Sequence, residues 1–74
     1  MNAVNLDFIK TKRIQRKISM QKMAELLGFK NASTYLKYEN GIYAFKAEQL
    51  PKLAEILDCS ITDFFTKNVA KTAI

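Results

Sequence analysis

The chain has no histidine and no tryptophan, one cysteine, one proline and two glycines. Without histidine, imidazole acid–base or nucleophilic catalysis is ruled out, and a lone thiol cannot build a Cys/His metal site. Cys59 has no second cysteine with which to close an intramolecular disulfide, which favours a reducing compartment. Nowhere do about eighteen apolar residues run together, and Met1 to Leu6 carries no basic segment leading into an apolar one. The chain reads as soluble and cytoplasmic. Its 74 residues make one small domain that buries only roughly 60% of its unfolded surface, too little for a deep substrate pocket. No enzyme activity, small-molecule substrate, cofactor, metal or membrane partner is expected. The surface is left to do the work.

Charge is what the sequence does have. Twelve Lys and Arg stand against seven Asp and Glu, for a formal net charge of +5. Up to Lys46 there are nine basic residues and three acidic ones, and from Ala47 onward three basic and four acidic. A positive front and a near-neutral rear fit a polyanion-binding face joined to a scaffold or self-association face. Nucleic acid, anionic membrane and a plain set of solvated lysine-rich helices all satisfy the charge alone. The absence of Trp, and the need for the first helix's apolar arc in the core, count against the membrane surface.

Period and punctuation predict five short helices and no strand. Asn5 caps a first helix from Leu6 to Lys17, with Asp7 at its positive end and Leu6, Ile9 and Ile14 as its apolar arc. Arg13 falls inside that arc, so its guanidinium requires a buried anion from elsewhere in the fold. Ser19 caps a second helix, in which Met23, Leu26 and Leu27 keep helical spacing up to Gly28. Asn31 caps a third from Ala32 to Glu39, ended by Asn40-Gly41, with Tyr35 and Tyr38 on its inward stripe and Ala32, Ser33, Leu36 and Lys37 on the other side. Ile42 to Lys46 has no period and reads as a loop. Pro51 must lie in the first turn of a fourth helix, which therefore starts near Glu48 and runs to Leu57, with Leu50, Leu53, Ala54 and Leu57 buried. Ser60 with Asp63 starts a fifth through Phe64 and Phe65. Cys59, among apolar residues between the last two, reads as a buried structural thiol. The domain is placed at 1–66 and a flexible tail at 67–74, frayed from Val69 to Ile74.

Two short helices joined by a tight turn containing Gly28 make a helix-turn-helix. A helix about 10–12 Å across suits a major groove of about that width, and Ala24 is small enough to let the third helix pack closely on the second. The sequence resembles the lambda-repressor-like helix-turn-helix proteins: phage repressors, Cro proteins and their bacterial relatives. The matching stretches are Ile9-Lys10-Thr11-Lys12-Arg13-Ile14, Ile18-Ser19, Met23-Ala24-Glu25-Leu26-Leu27-Gly28, Tyr38-Glu39-Asn40-Gly41, Leu50-Pro51-Lys52-Leu53-Ala54 and Ser60-Ile61-Thr62-Asp63-Phe64-Phe65. They cover nearly the whole chain, from Leu6 to Phe65.

The resemblance implies an all-α DNA-binding domain and assigns roles by position. Glu39 becomes the anion that Arg13 requires, as a structural ion pair. Ala32, Ser33, Leu36 and Lys37 take base-reading positions, with Leu36 or Ala32 suited to a thymine methyl. Ser19, Asn40 and the backbone amides of the Ile42 to Lys46 loop take phosphate-contacting positions; Asn31 and Lys46 are further candidates for phosphate contact. Relatives carry Gln directly after the Ser19 position, whereas Met20 and then Gln21 stand here, which shifts that contact to Gln21. Phe29-Lys30-Asn31 makes the turn one residue longer than the usual form, altering how deeply the third helix enters the groove. Lys30 neutralises a phosphate or simply fills the longer turn; Tyr43 and Phe45 are satellite core or brace a phosphate contact. A homodimer on a palindromic double-stranded DNA operator is expected, joined through Phe45, Ile61, Phe64 and Phe65. The rival reading keeps the fold but binds a protein, as an antitoxin component does.

Overall fold

Each of the first three helices starts on the side chain that the sequence puts before it. In the computed structural model, which describes residues 4–65, Asn5 Oδ1 accepts the Phe8 amide at 3.0 Å, Ser19 Oγ that of Lys22 at 3.0 Å and Asn31 Oδ1 that of Thr34 at 2.9 Å. These oxygens satisfy first-turn donors that no carbonyl of the helix can reach. They open α1 (Leu6–Gln15), α2 (Met20–Leu27) and α3 (Ala32–Glu39). A 3-10 turn at Ala47–Gln49 leads into α4 (Leu50–Leu57), with Pro51 in its first turn, and a second 3-10 turn spans Ile61–Phe65. The fold is all-helical, with no strand among the described residues. The fifth helix expected from Ser60 through Phe65 is this second 3-10 turn rather than an α-helix. Asp63 Oδ2 accepts the Ser60 amide at 3.1 Å and helps to hold it. The tail expected at 67–74 lies outside the described residues.

All four helices end alike. A residue in the left-handed region follows each: Lys17 at φ 58°, Gly28 at 79°, Gly41 at 85° and Asp58 at 56°. In each case its amide, and that of the next residue, turn back onto carbonyls of the last turn, as Lys17 N to Ile14 O (2.9 Å) and Ile18 N to Arg13 O (3.1 Å) do for α1. This closure stops α1 at Gln15, two residues before the expected end. At Gly41 a side chain is also excluded by space, because a Cβ would lie 3.1 Å from Leu6 Cδ1.

The core is built from Ile9, Met23, Ala24, Tyr35, Leu50, Leu53, Ala54, Leu57 and Phe64. Ile14 does not join it and is 55% exposed. At 3.6 residues per turn Ile14 lies about 100° round from Arg13, and the inward arc is taken by Leu6, Ile9 and Arg13. Leu26 likewise sits on the outer side of α2. Cys59 is half-buried, and burial, with Asp63 and Asp58 adding and Lys12 opposing, pushes its thiol pKa up. No described helix is long and apolar enough to cross a membrane.

Candidate nucleic-acid interface

The third helix is anchored from behind by charge. Arg13 donates from Nε to Glu39 Oε2 at 2.8 Å and from Nη2 to Oε1 at 3.2 Å, a two-pronged pair between α1 and α3. Arg13 is 8% and Glu39 4% exposed, so both charges have left water and depend on each other. Arg13 Nη1 donates to the Ile18 carbonyl at 3.0 Å, and the Tyr35 hydroxyl donates to Glu39 Oε2 at 2.6 Å. The hydrogen bond that Arg13 donates to Glu39 raises the Arg13 pKa above its ordinary value. No buried side-chain polar atom among the described residues lacks a partner. Sequence reasoning required an anion for Arg13 but missed the Tyr35 hydroxyl, although Tyr35 stands four residues before Glu39 on the same helical face.

Burial, followed by the hydrogen bond to Glu39, pushes the Tyr35 pKa well above its ordinary value of 10.0. The hydroxyl proton is thus held more tightly in the folded chain than in the unfolded one. Stability from this source is full below pH 10 and falls as the unfolded chain ionises above it. Tyr35→Phe is expected to lower stability at neutral pH by roughly 1.5–3 kcal/mol, the range for a hydrogen bond to a charged group. It should also flatten the alkaline decline in denaturant midpoints measured from pH 7 to 11. Parallel declines in the two proteins would contradict this role.

On the opposite side of α3, Ser33, Lys37 and Asn40 are exposed at helical spacing and form a polar stripe. Ala32 and Leu36 are only half-buried, so part of each remains at the surface. Around the ends of α3, Lys30, Asn31, Tyr43 and Lys46 are exposed, as are Ser19 and Gln21 at the start of α2. Capping uses the Ser19 and Asn31 oxygens and leaves a hydroxyl proton and an NH2 group to donate outward. Gln21 Nε2 lies 3.3 Å from Glu25 Oε2 along the outer edge of α2. The loop after α3 offers fewer free amides than expected. Ile42 N and Tyr43 N both donate to the Lys37 carbonyl, at 2.8 and 3.1 Å, and Lys46 N donates to Gln49 Oε1 at 2.7 Å.

A family model described as helix-turn-helix matches residues 9–64, the stretch that contains this ion pair, both helices and the exposed stripe. The chain belongs to the helix-turn-helix family. More closely, it is a DNA-binding domain of the XRE type, the lambda-repressor-like branch. Comparisons with curated proteins and with solved structures give no match. Within this helix-turn-helix domain, α2 and α3 are separated by Gly28-Phe29-Lys30-Asn31, and the Phe29 ring stacks on Tyr38 with centroids 4.6 Å apart and planes 9° apart. Tyr38 continues the contact to Tyr43 at 5.4 Å and to Phe45 at 5.2 Å. Tyr38 is thus the centre of a half-buried ring cluster, whereas Tyr35 is wholly buried.

The rear of the helix-turn-helix domain differs from expectation at one residue. Phe64 has no exposed surface and meets the Phe8 ring edge-on at 6.1 Å, while its carbonyl accepts the Asn5 amide at 2.6 Å. It serves this chain's own core, which does not fit a place at a dimer interface. Ile61, 39% exposed, and the half-buried Phe45 and Phe65 keep apolar surface.

Proposed function

We propose that the protein is a sequence-specific transcriptional regulator, of phage-repressor or Cro type, that lays α3 in the major groove of a palindromic operator. The observation that supports this most is the two-sidedness of α3. Tyr35 and Glu39 fix one side rigidly, and Ser33, Lys37 and Asn40 stand exposed on the other. A helix held in this way presents donors at a defined depth, as base-edge reading requires. Lys37 is suited to guanine O6 or N7, Ser33 to either base of a pair, and Leu36 or Ala32 to a thymine methyl. Ser19, Gln21, Lys30, Asn31, Asn40, Tyr43 and Lys46 surround this stripe with donors for phosphates, which set register and overall affinity.

A single domain offers three or four base-reading side chains. That is too few for the specific affinities of about 10⁻⁸ to 10⁻¹¹ M usual for regulators, so two copies related by a two-fold axis are the economical arrangement. Ile61, Phe65 and Phe45 supply the apolar surface by which two copies meet on DNA.

Lys37→Ala tests the reading. Loss of a base-edge contact relaxes preference at one operator position by about 1–3 kcal/mol, whereas loss of a phosphate contact, as expected for Lys30→Ala, weakens all duplexes alike and lowers the salt slope by about one. Equal weakening of specific and random duplexes by Lys37→Ala would make Lys37 a backbone contact.

A further inference from the structure

The Lys37 ammonium does not stand alone at the surface. Its Nζ lies 5.5 Å from the centroid of the Tyr43 ring, within the distance at which an aromatic face attracts a cation. The same two segments are also joined through the backbone. The Lys37 carbonyl accepts the amides of Ile42 and Tyr43, at 2.8 and 3.1 Å. Tyr43 in turn meets Tyr38 edge-on, and Tyr38 stacks on Phe29 in the turn between α2 and α3. One continuous series of rings therefore runs from that turn to the head of Lys37.

A lysine side chain has four rotatable bonds and, at an exposed helical position, many rotamers of similar energy; holding it in one of them for a base contact costs entropy. A ring fixed at both edge and backbone narrows that choice before DNA arrives. We propose that Tyr43 is a positioning residue that orients Lys37 for base discrimination, acting through the face of its ring rather than through its hydroxyl. The proposal rests on the reading of Lys37 as a base-edge contact, and it places specificity partly in the loop after α3, outside the recognition helix.

Two substitutions separate the ring face from the hydroxyl. Tyr43→Phe keeps the π face and removes the hydroxyl; Tyr43→Leu keeps apolar bulk and removes the face. Discrimination is measured as the ratio of affinities for a selected duplex and for the same duplex altered at the base pair to which Lys37→Ala is sensitive. Tyr43→Leu is expected to reduce that ratio about two- to fivefold, the range that corresponds to an exposed cation–π contact. Tyr43→Phe is expected to keep it, while loss of the hydroxyl's phosphate contact weakens both duplexes alike. If both variants keep the ratio, or if Tyr43→Phe loses as much as Tyr43→Leu, the ring face does not orient Lys37 and the proposal is overturned.

A second readout needs no DNA. In proton NMR of the free wild-type protein, the Lys37 methylene protons next to the ammonium are expected upfield of those of Lys30 and Lys46, through the ring current of Tyr43. The shift should persist in Tyr43→Phe and vanish in Tyr43→Leu. Its absence from the wild type overturns the positioning role, whatever Lys37 contacts. Its presence, together with a Lys37→Ala variant that keeps all base preferences, would instead sink the base-reading role of Lys37 while the contact with Tyr43 stands.

Discussion

Glu39→Gln is expected to destabilise the free domain by roughly 3–5 kcal/mol, the cost of leaving one partner of a buried ion pair without the other. Small domains have total stabilities near the lower part of the roughly 5–15 kcal/mol range, so most of the folded population at ambient temperature is at stake. The Arg13 guanidinium stays charged after the substitution, because arginine's ordinary pKa is too high for it to lose its proton in a folded protein. A glutamine keeps the shape of Glu39 but brings an NH2 group against the Arg13 donors, and only the Ile18 carbonyl at 3.0 Å remains as an unaltered acceptor. Replacing both partners with apolar residues of similar volume is expected to cost less than either single substitution, because no charge is then stranded. Thermal and urea unfolding without DNA check this, and an unchanged midpoint in Glu39→Gln would contradict the pair's structural role.

Phe64→Ala is expected to cost about 3–5 kcal/mol for a different reason, the removal of a fully buried ring and the cavity left behind. The ring closes the space between α1 and α4, where Phe8 meets it, and the same residue's carbonyl holds the Asn5 amide before α1. The loss is therefore expected within one chain, with an unfolding midpoint independent of protein concentration. Ile61→Ala, at an exposed position, is expected to change stability by less than about 0.5 kcal/mol and to weaken assembly on DNA instead. Unfolding titrations at two protein concentrations distinguish the cases. A concentration-dependent penalty for Phe64→Ala would return that residue to an interface.

Much of the fold was legible because its signals are local. Asn5, Ser19 and Asn31 are short polar residues set immediately before apolar periodicity, and each caps the helix that follows. Arg13 inside an apolar arc was legible as a demand for an anion, though only family resemblance pointed to Glu39, because no local rule links residues 26 apart. What escaped was nonlocal or unmarked. Lys17 and Asp58 close helices in the left-handed region, where glycine is the usual signal, so α1 read two residues too long. Ile14 is apolar at a plausible position, and only the packing of Leu6, Ile9 and Arg13 reveals that the inward arc is already full. The contact between Lys37 and Tyr43 depends on a loop without period folding back on α3, which no spacing rule foretells.

The same geometry links stability to recognition. The charges that hold α3 to α1 come from Arg13 and Glu39, the hydroxyl that supports them from Tyr35, and the stripe offered outward from the other side of the same two-turn helix. A helix of eight residues has marginal stability by itself. Its orientation is thus owed to the ion pair and to its packing on α2 in the shared core, and a loosened pair is expected to blunt base discrimination before the fold is lost.

Selection of binding sites from random duplexes, followed by stoichiometry on the enriched sequence, tests whether the protein is a dimeric, sequence-specific DNA reader. One two-fold symmetric sequence is expected to be enriched, with half-sites about one helical turn apart and two chains bound to it. Affinity for that sequence should exceed affinity for random duplex by about 10³-fold or more, and both should fall steeply with salt. Failure to enrich any sequence, with equal binding to all duplexes or to none, would contradict it.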